Sequence, residues 1–153
     1  KHNAMTENQP NMEPNTMSGP MTAFIEEAYQ DTLSLMTELR DFLAEVQAAP
    51  EDPNADRTPD VRARIVKEIS SITRNLTEAM AWLLLQKAAG AGEITPEEAE
   101  TRADGLLAQV DADRIAAADG AELPLEIRGY MDRSRRLYDQ VLSLREMVSK
   151  QTG

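Results

Sequence analysis

The chain has 153 residues, enough for one domain with its own core, and its 41% hydrophobic and 28% charged residues are the mix of a soluble globular protein. With no cysteine it has no disulfide framework, thiolate zinc site or cysteine nucleophile, and it has no run of roughly 18 or more apolar residues to span a membrane. A net charge of −11 argues against nonspecific binding to nucleic acid, which depends on neutralising phosphates with Lys and Arg, and otherwise reflects solubility.

Lys1-His2-Asn3-Ala4 ahead of Met5 reads as a vector remnant. The stretch that follows is rich in Asn, Pro, Thr and Met and has no usable periodicity. Residues 1–21 are therefore expected to form a flexible arm before a single domain over 22–150. Met5, Met12, Met17 and Met21 would suit docking on a partner, but a disordered leader accounts for them better. The arm lacks the apolar centre of a secretory signal, so a cytoplasmic location is expected. Aromatics are only 4%, and Leu, Ala, Ile, Met and Glu dominate, which favours helices.

A first helix is predicted from Thr22 as N-cap, with Glu26 and Glu27 near its positive end. Its apolar positions are Ile25, Ala28, Leu35, Leu39, Phe42 and Val46, with Thr32 in the one polar slot and Tyr29, Leu33, Met36 and Leu43 widening the face. Spacings of three and four make an amphipathic helix of about 26 residues, roughly 39 Å long. Pro50 and Pro53 end it in a polar loop.

Thr58-Pro59-Asp60 opens the second helix with a hydroxyl N-cap, a proline at the first position and an acid in the first turn. Val61, Ile65, Ile69, Ile72, Leu76, Ala79 and Leu83 form its stripe. From Ala79 to Leu85 every residue is apolar, which at 100° per residue wraps the whole circumference. That end must be covered by another segment or by a second subunit. Trp82, Leu84 and Leu85 are its candidate core and self-association anchors. Gly90 or Gly92 supplies the stop.

Thr95-Pro96-Glu97-Glu98 is a capping box: the Thr95 hydroxyl caps the Glu98 N–H while the Glu98 carboxylate reaches back. A short third helix to Val110 follows, with Ala99, Ala103, Leu106 and Leu107 on its weak apolar face, and Arg114 to Ala118 adds at most a turn before Asp119-Gly120. The last helix begins near Pro124 and repeats Ile127, Tyr130, Ser134, Leu137, Val141, Leu144 and Val148, widened by Met131, Tyr138 and Leu142. The expected fold is all-α: an antiparallel three-helix bundle running up-down-up, with the short helix in the connection before the last one and covering Trp82.

No catalytic site is visible, and neither a metal nor a cofactor is expected. His2 is the one histidine, so no Ser-His-Asp arrangement, His-metal site or Glu-x-x-His pair can be built. Glu97 and Glu98 have a capping role, and Asp52 and Asp56 sit among prolines, so a solvated face accounts for these acids better than catalysis or Mg²⁺ binding. Gly90-Ala91-Gly92 follows a helix and lacks the Gly-Lys-Ser/Thr of a phosphate loop. What remains is a cluster of Arg128, Arg133, Arg135 and Arg136 in an acidic chain. Arg133 and Arg136 fall on one outward flank of the last helix, and Arg128 and Arg135 on the other. The cluster either pairs with acids of neighbouring helices, or with Asp132 and Asp139, or it forms a docking patch for an acidic protein surface.

At Ala81-Trp82-Leu83-Leu84-Leu85-Gln86-Lys87-Ala88, then Gly92-Glu93-Ile94-Thr95, the sequence resembles the RcdA family of alphaproteobacteria. Leu123-Pro124, Ser134, Leu137-Tyr138, Val141 and Leu144 add to the likeness, which spans roughly residues 22–148. The resemblance implies a self-associating three-helix bundle and a non-enzymatic role, helping the ClpXP protease destroy the CtrA response regulator as an adaptor for other regulators and cargo. From Leu106 to Ala121 the chain is rich in Ala and Asp and does not follow the family's pattern. A homodimer without membrane contact is expected, with partners in the ClpXP machinery and among response-regulator-type adaptors or cargo. The competing expectations are a DNA-associated regulator using the arginine-bearing helix, a helical dimerisation module of other role, and a small-molecule binder. The charge of −11 and the acids Asp132 and Asp139 in that helix stand against the first.

Overall fold

The computed structural model describes residues 19–49, 58–115 and 123–152, and every regular element among them is a helix. In chain order these are α1 (Gly19–Ala48), α2 (Pro59–Gly90), α3 (Pro96–Arg102), α4 (Ala108–Ile115) and α5 (Leu125–Thr152). The three long helices α1, α2 and α5 contact one another pairwise, while α3 and α4 pack on α2 and α4 also on α5. Residues 1–18, most of the loop at Pro50 and Pro53, and residues 116–122 with their expected turn lie outside the described residues.

α1 starts at Gly19, one turn before the expected cap, so Thr22 lies inside the helix and Met21 belongs to it rather than to the arm. The reason is burial. Met21 stands four residues before Ile25 and is only 5% exposed, so it extends the apolar stripe of Ile25, Ala28, Leu35, Leu39, Phe42 and Val46. Thr32 fills the polar slot, fully buried, with its hydroxyl donating to the Ala28 carbonyl at 2.7 Å. Leu33, expected to widen the face, stays exposed.

α2 begins as predicted. The Thr58 hydroxyl accepts the Val61 N–H at 3.4 Å, and Pro59 is the first helical residue. At its far end Gly92 adopts φ +78°, its N–H reaching the Ala89 carbonyl and the Glu93 N–H the Ala88 carbonyl. These two bonds satisfy carbonyls that a helix end leaves open, and only glycine takes such a φ without strain.

The expected third helix to Val110 is in fact two. α3 carries the full capping box, with Glu98 N–H to Thr95 Oγ1 at 3.0 Å and Thr95 N–H to Glu98 Oε1 at 2.9 Å, but it stops at Arg102. Gly105 (φ +85°) and Leu107 (φ +73°) turn the chain, and α4 restarts along a new axis that buries Leu107 and Val110 completely. The break falls beside Gly105, a poor helix former, and the Glu78 carboxylate accepts the Leu107 N–H that the interrupted helix leaves open.

The helix directions depart from up-down-up. Arg62, near the start of α2, donates to the Val46 carbonyl at the end of α1 (2.9 Å), and Lys87 near the end of α2 pairs with Glu26 near the start of α1. Those two helices are antiparallel. Early residues of α5 meet late residues of α1: Tyr130 stacks on Phe42 at 5.2 Å and Arg133 binds Glu38. α5 therefore runs against α1 and along α2. In the connection between α2 and α5, α4 lies back along α2: Leu107 bonds to Glu78, and further on Asp113 bonds to Asn75.

Candidate protein-docking site

The arginine cluster lies on α5, and the structure divides it. Arg133 reaches across to α1 and holds both oxygens of Glu38, at 2.7 and 3.1 Å, with its guanidinium carbon 5.9 Å from the centre of the Tyr130 ring. Such two-pronged geometry suits the planar guanidinium and uses its charge internally. The same contact holds the Glu38 carboxyl below the usual carboxylate value, against a small opposing effect of burial. Arg135 bonds to Asp132 one turn back at 3.3 Å. Arg128 is half-buried, and its Nε has no hydrogen-bond partner. Arg136 is exposed and, among the described residues, meets no acid or other hydrogen-bond acceptor.

Internal pairing thus accounts for Arg133 and Arg135 and sets them apart from Arg128 and Arg136. Arg136 lies in a groove of about 280 Å³ between α1 and α5, with Leu35 and Leu137 as its buried floor. Ser34 and Asp31 line the α1 side, and Gln140 lies one turn beyond Arg136 on α5. Among the described residues the side chains of Asp31, Ser34 and Gln140 are also without hydrogen-bond partners.

The apolar end of α2 is covered unevenly. Trp82 (3% exposed) and Leu83 are core residues, in one cluster with Leu107 and Val110 of the return segment. Leu85 is half-buried, and Leu84 remains 47% exposed. Of the three expected anchors, Trp82 therefore belongs to the fold and Leu84 to the surface. Beside it Lys87 pairs with Glu26 and sits 4.0 Å above the Tyr29 ring, and this contact holds the Glu26 carboxyl below its usual value.

A buried polar network was not foreseen. Asn75 is 2% exposed, and its amide donates to Asp113 Oδ2 at 2.7 Å, while Gln109 donates to Asp113 Oδ1 at 2.8 Å and Arg74 lies 3.4 Å away. Asn75 first, with Gln109 and Arg74 adding to it, holds the Asp113 carboxyl below its usual range although burial opposes this. Asn75 Oδ1 and the Tyr138 hydroxyl are buried without a well-formed hydrogen bond, and burial pushes the Tyr138 phenol up. Its one clue in the sequence is the step from Ile72 to Leu76, which puts Asn75 on the apolar flank. Glu78 and Asp113, on elements far apart in sequence, carried no such signal.

Among the described residues no group of three or more His, Cys, Asp or Glu is placed to hold a metal ion, and no helix is long and apolar enough to cross a membrane. No curated protein and no solved structure matches the chain. A family model does, over residues 18–153, which takes in every described helix, the Trp82 block and the α1–α5 groove: the chain belongs to the family described as protein of unknown function DUF1465.

Proposed function

We propose that this protein is a non-enzymatic adaptor or scaffold of the RcdA type, a three-helix bundle that helps deliver regulatory proteins such as the CtrA response regulator to the ClpXP protease in the cytoplasm. The observation that carries the reading is the family match over residues 18–153, since RcdA-like proteins belong to that family and the Trp82-to-Thr95 block lies within it. Two surface features support it. Leu84 and Phe24 are large apolar side chains left nearly half exposed, and Arg136 offers an uncommitted cation on a helical face. The protein acts as a homodimer that covers the Leu84 side of α2, in which case Leu84→Glu shifts the sedimentation mass towards monomer. A mass of one chain at every concentration removes the dimer.

The adaptor reading is tested by immobilising the protein and passing cognate lysate over it at low and moderate salt. Salt-sensitive recovery of the ClpX unfoldase together with response-regulator-type adaptors or cargo supports delivery. Recovery of none of them overturns it and leaves a dimerisation module. A DNA-associated role is disfavoured because Arg133 and Arg135 are neutralised by Glu38 and Asp132. Retardation of duplex DNA at low salt would revive it.

A further inference from the structure

The segment from Ala103 to Ile115 is held to the bundle by two polar hooks on one flank of α2. The Glu78 carboxylate accepts the Leu107 N–H at 2.8 Å, and the Asn75 amide donates to Asp113 Oδ2 at 2.7 Å. Asn75, Glu78 and Trp82 stand three and four residues apart, so they share that flank. Closing the segment over it is costly in two respects. Leu107 keeps φ +73°, a region that bulky residues avoid. Asn75 Oδ1 and the Tyr138 hydroxyl are shut away from water without a well-formed hydrogen bond, and the Tyr138 phenol lies within reach of the Asp113 charge. α4 has only eight residues, too few to hold a helix by its own backbone bonds. The three long helices contact one another pairwise without it.

We propose that residues 103–115 form a strap that opens as one unit from an intact bundle of α1, α2 and α5, driven by the strained Leu107 backbone and by the stranded polar atoms of Asn75 and Tyr138. Opening releases Leu107 from its positive φ and lets water reach Asn75 Oδ1 and the Tyr138 hydroxyl. Against it stands the exposure of Leu107 and Val110, both fully buried in the cluster that holds Trp82. The apolar contribution keeps the strap closed most of the time, and the strain and the stranded atoms narrow the gap to the open form. Such a segment is a unit of low local stability within a firmer frame. The open form presents a face of α2 and α5, around Asn75, Trp82 and Tyr138, that the closed form hides. The strap is a property of one chain and stands whether or not the delivery role holds.

The test is native-state hydrogen exchange on the ¹⁵N-labelled full chain, in urea too dilute to unfold it. The amides of Leu107, Asp111 and Asp113 are expected to share one opening, at least about tenfold more frequent than that of the slowest amides in α1, α2 and α5 and with a weaker urea dependence. Tyr138→Phe removes the stranded hydroxyl and should slow exchange of the strap about fivefold, where a hydroxyl that held the strap down would give faster exchange. Glu78→Ala removes one hook and should speed exchange at Asp113 as well as at Leu107, because the two belong to one unit. Protection and urea dependence equal to those of α2 overturn the proposal, since the segment then unfolds only with the whole chain. Protection lost step by step from the end of α4, with Leu107 as protected as α2, is fraying and overturns it. Faster exchange in Tyr138→Phe, or an effect of Glu78→Ala confined to Leu107, overturns it as well.

Discussion

The carboxylate of Glu78 on α2 accepts the backbone N–H of Leu107 at 2.8 Å, at the one described non-glycine residue with positive φ. Leu107 is fully buried, so its side chain stays in the core only while the backbone holds this unfavourable conformation. Glu78 supplies the acceptor that the broken helix between α3 and α4 cannot. Glu78→Ala should cost about 1–3 kcal/mol, the cost of stranding a buried donor. Hydrogen exchange should quicken over residues 103–113 and hardly at all in α1. Unchanged protection there would show that apolar packing alone holds the segment.

Trp82→Ala should destabilise the protein by about 3–5 kcal/mol, because the side chain is 3% exposed within the central cluster. Leu84→Ala, one residue on, should change monomer stability by less than about 0.5 kcal/mol. Urea unfolding of the two variants at low concentration measures the contrast. Equal losses would mean that Leu84 is covered within the monomer.

Asp113 links pH to the docking of α4. Its folded carboxyl lies below the ordinary 3.8, chiefly through the Asn75 hydrogen bond. The folded state therefore binds the proton less readily than the unfolded chain, and this contribution is complete above that ordinary value and lost as pH falls through the lower folded value. Glu26 and Glu38 act in the same direction from an ordinary 4.5. Acid titration of unfolding should show Asp113→Asn with a shallower loss of stability below about pH 4. A slope equal to wild type would place the acid sensitivity in the two glutamates.

Thr95→Ala should cost about 1 kcal/mol, since it removes one half of a capping box whose two bonds are both formed. Thermal melting of the variant against Thr101→Ala, a mid-surface hydroxyl bonded only to the Glu97 carbonyl, isolates the cap. A loss no larger than that of Thr101→Ala would mean that Pro96 and tertiary packing hold the helix start.

Arg133→Ala should lower stability by at most about 1 kcal/mol despite its good geometry, because Arg133 and Glu38 are 39% and 46% exposed. A double-mutant cycle with Glu38→Ala measures the pair. A coupling well above that figure would make the Tyr130 and Phe42 stack part of the same unit.

Much of the fold was legible because periodicity is a local property. Ile25 through Val46, Ile65 through Leu83 and Ile127 through Leu144 each repeat at the helical period, and the caps at Thr58 and Thr95 act within four residues of chain. Where burial beyond the local window decided, the reading failed. Met21 added a turn to α1, and the turn at Gly105 and Leu107, with the Leu107 N–H held by Glu78 from α2, split the third helix. The arginine cluster was legible as a cluster. Which member remained uncommitted was not, because Glu38 is 95 residues from Arg133 in sequence.

The sequence by itself determined an all-helical chain, the stripes of its three long helices and the start signals of α2 and α3, since each depends on neighbours a few residues away. Only the tertiary structure decided the direction of α5, the break at Leu107, the Asn75–Asp113 network and the isolation of Arg136. Each of these arises from contacts between segments dozens of residues apart. An amphipathic helix offers the same buried stripe whichever way it runs, so its periodicity carries no direction. Direction shows in which charged and aromatic side chains meet, as Arg133 meets Glu38 and Tyr130 meets Phe42.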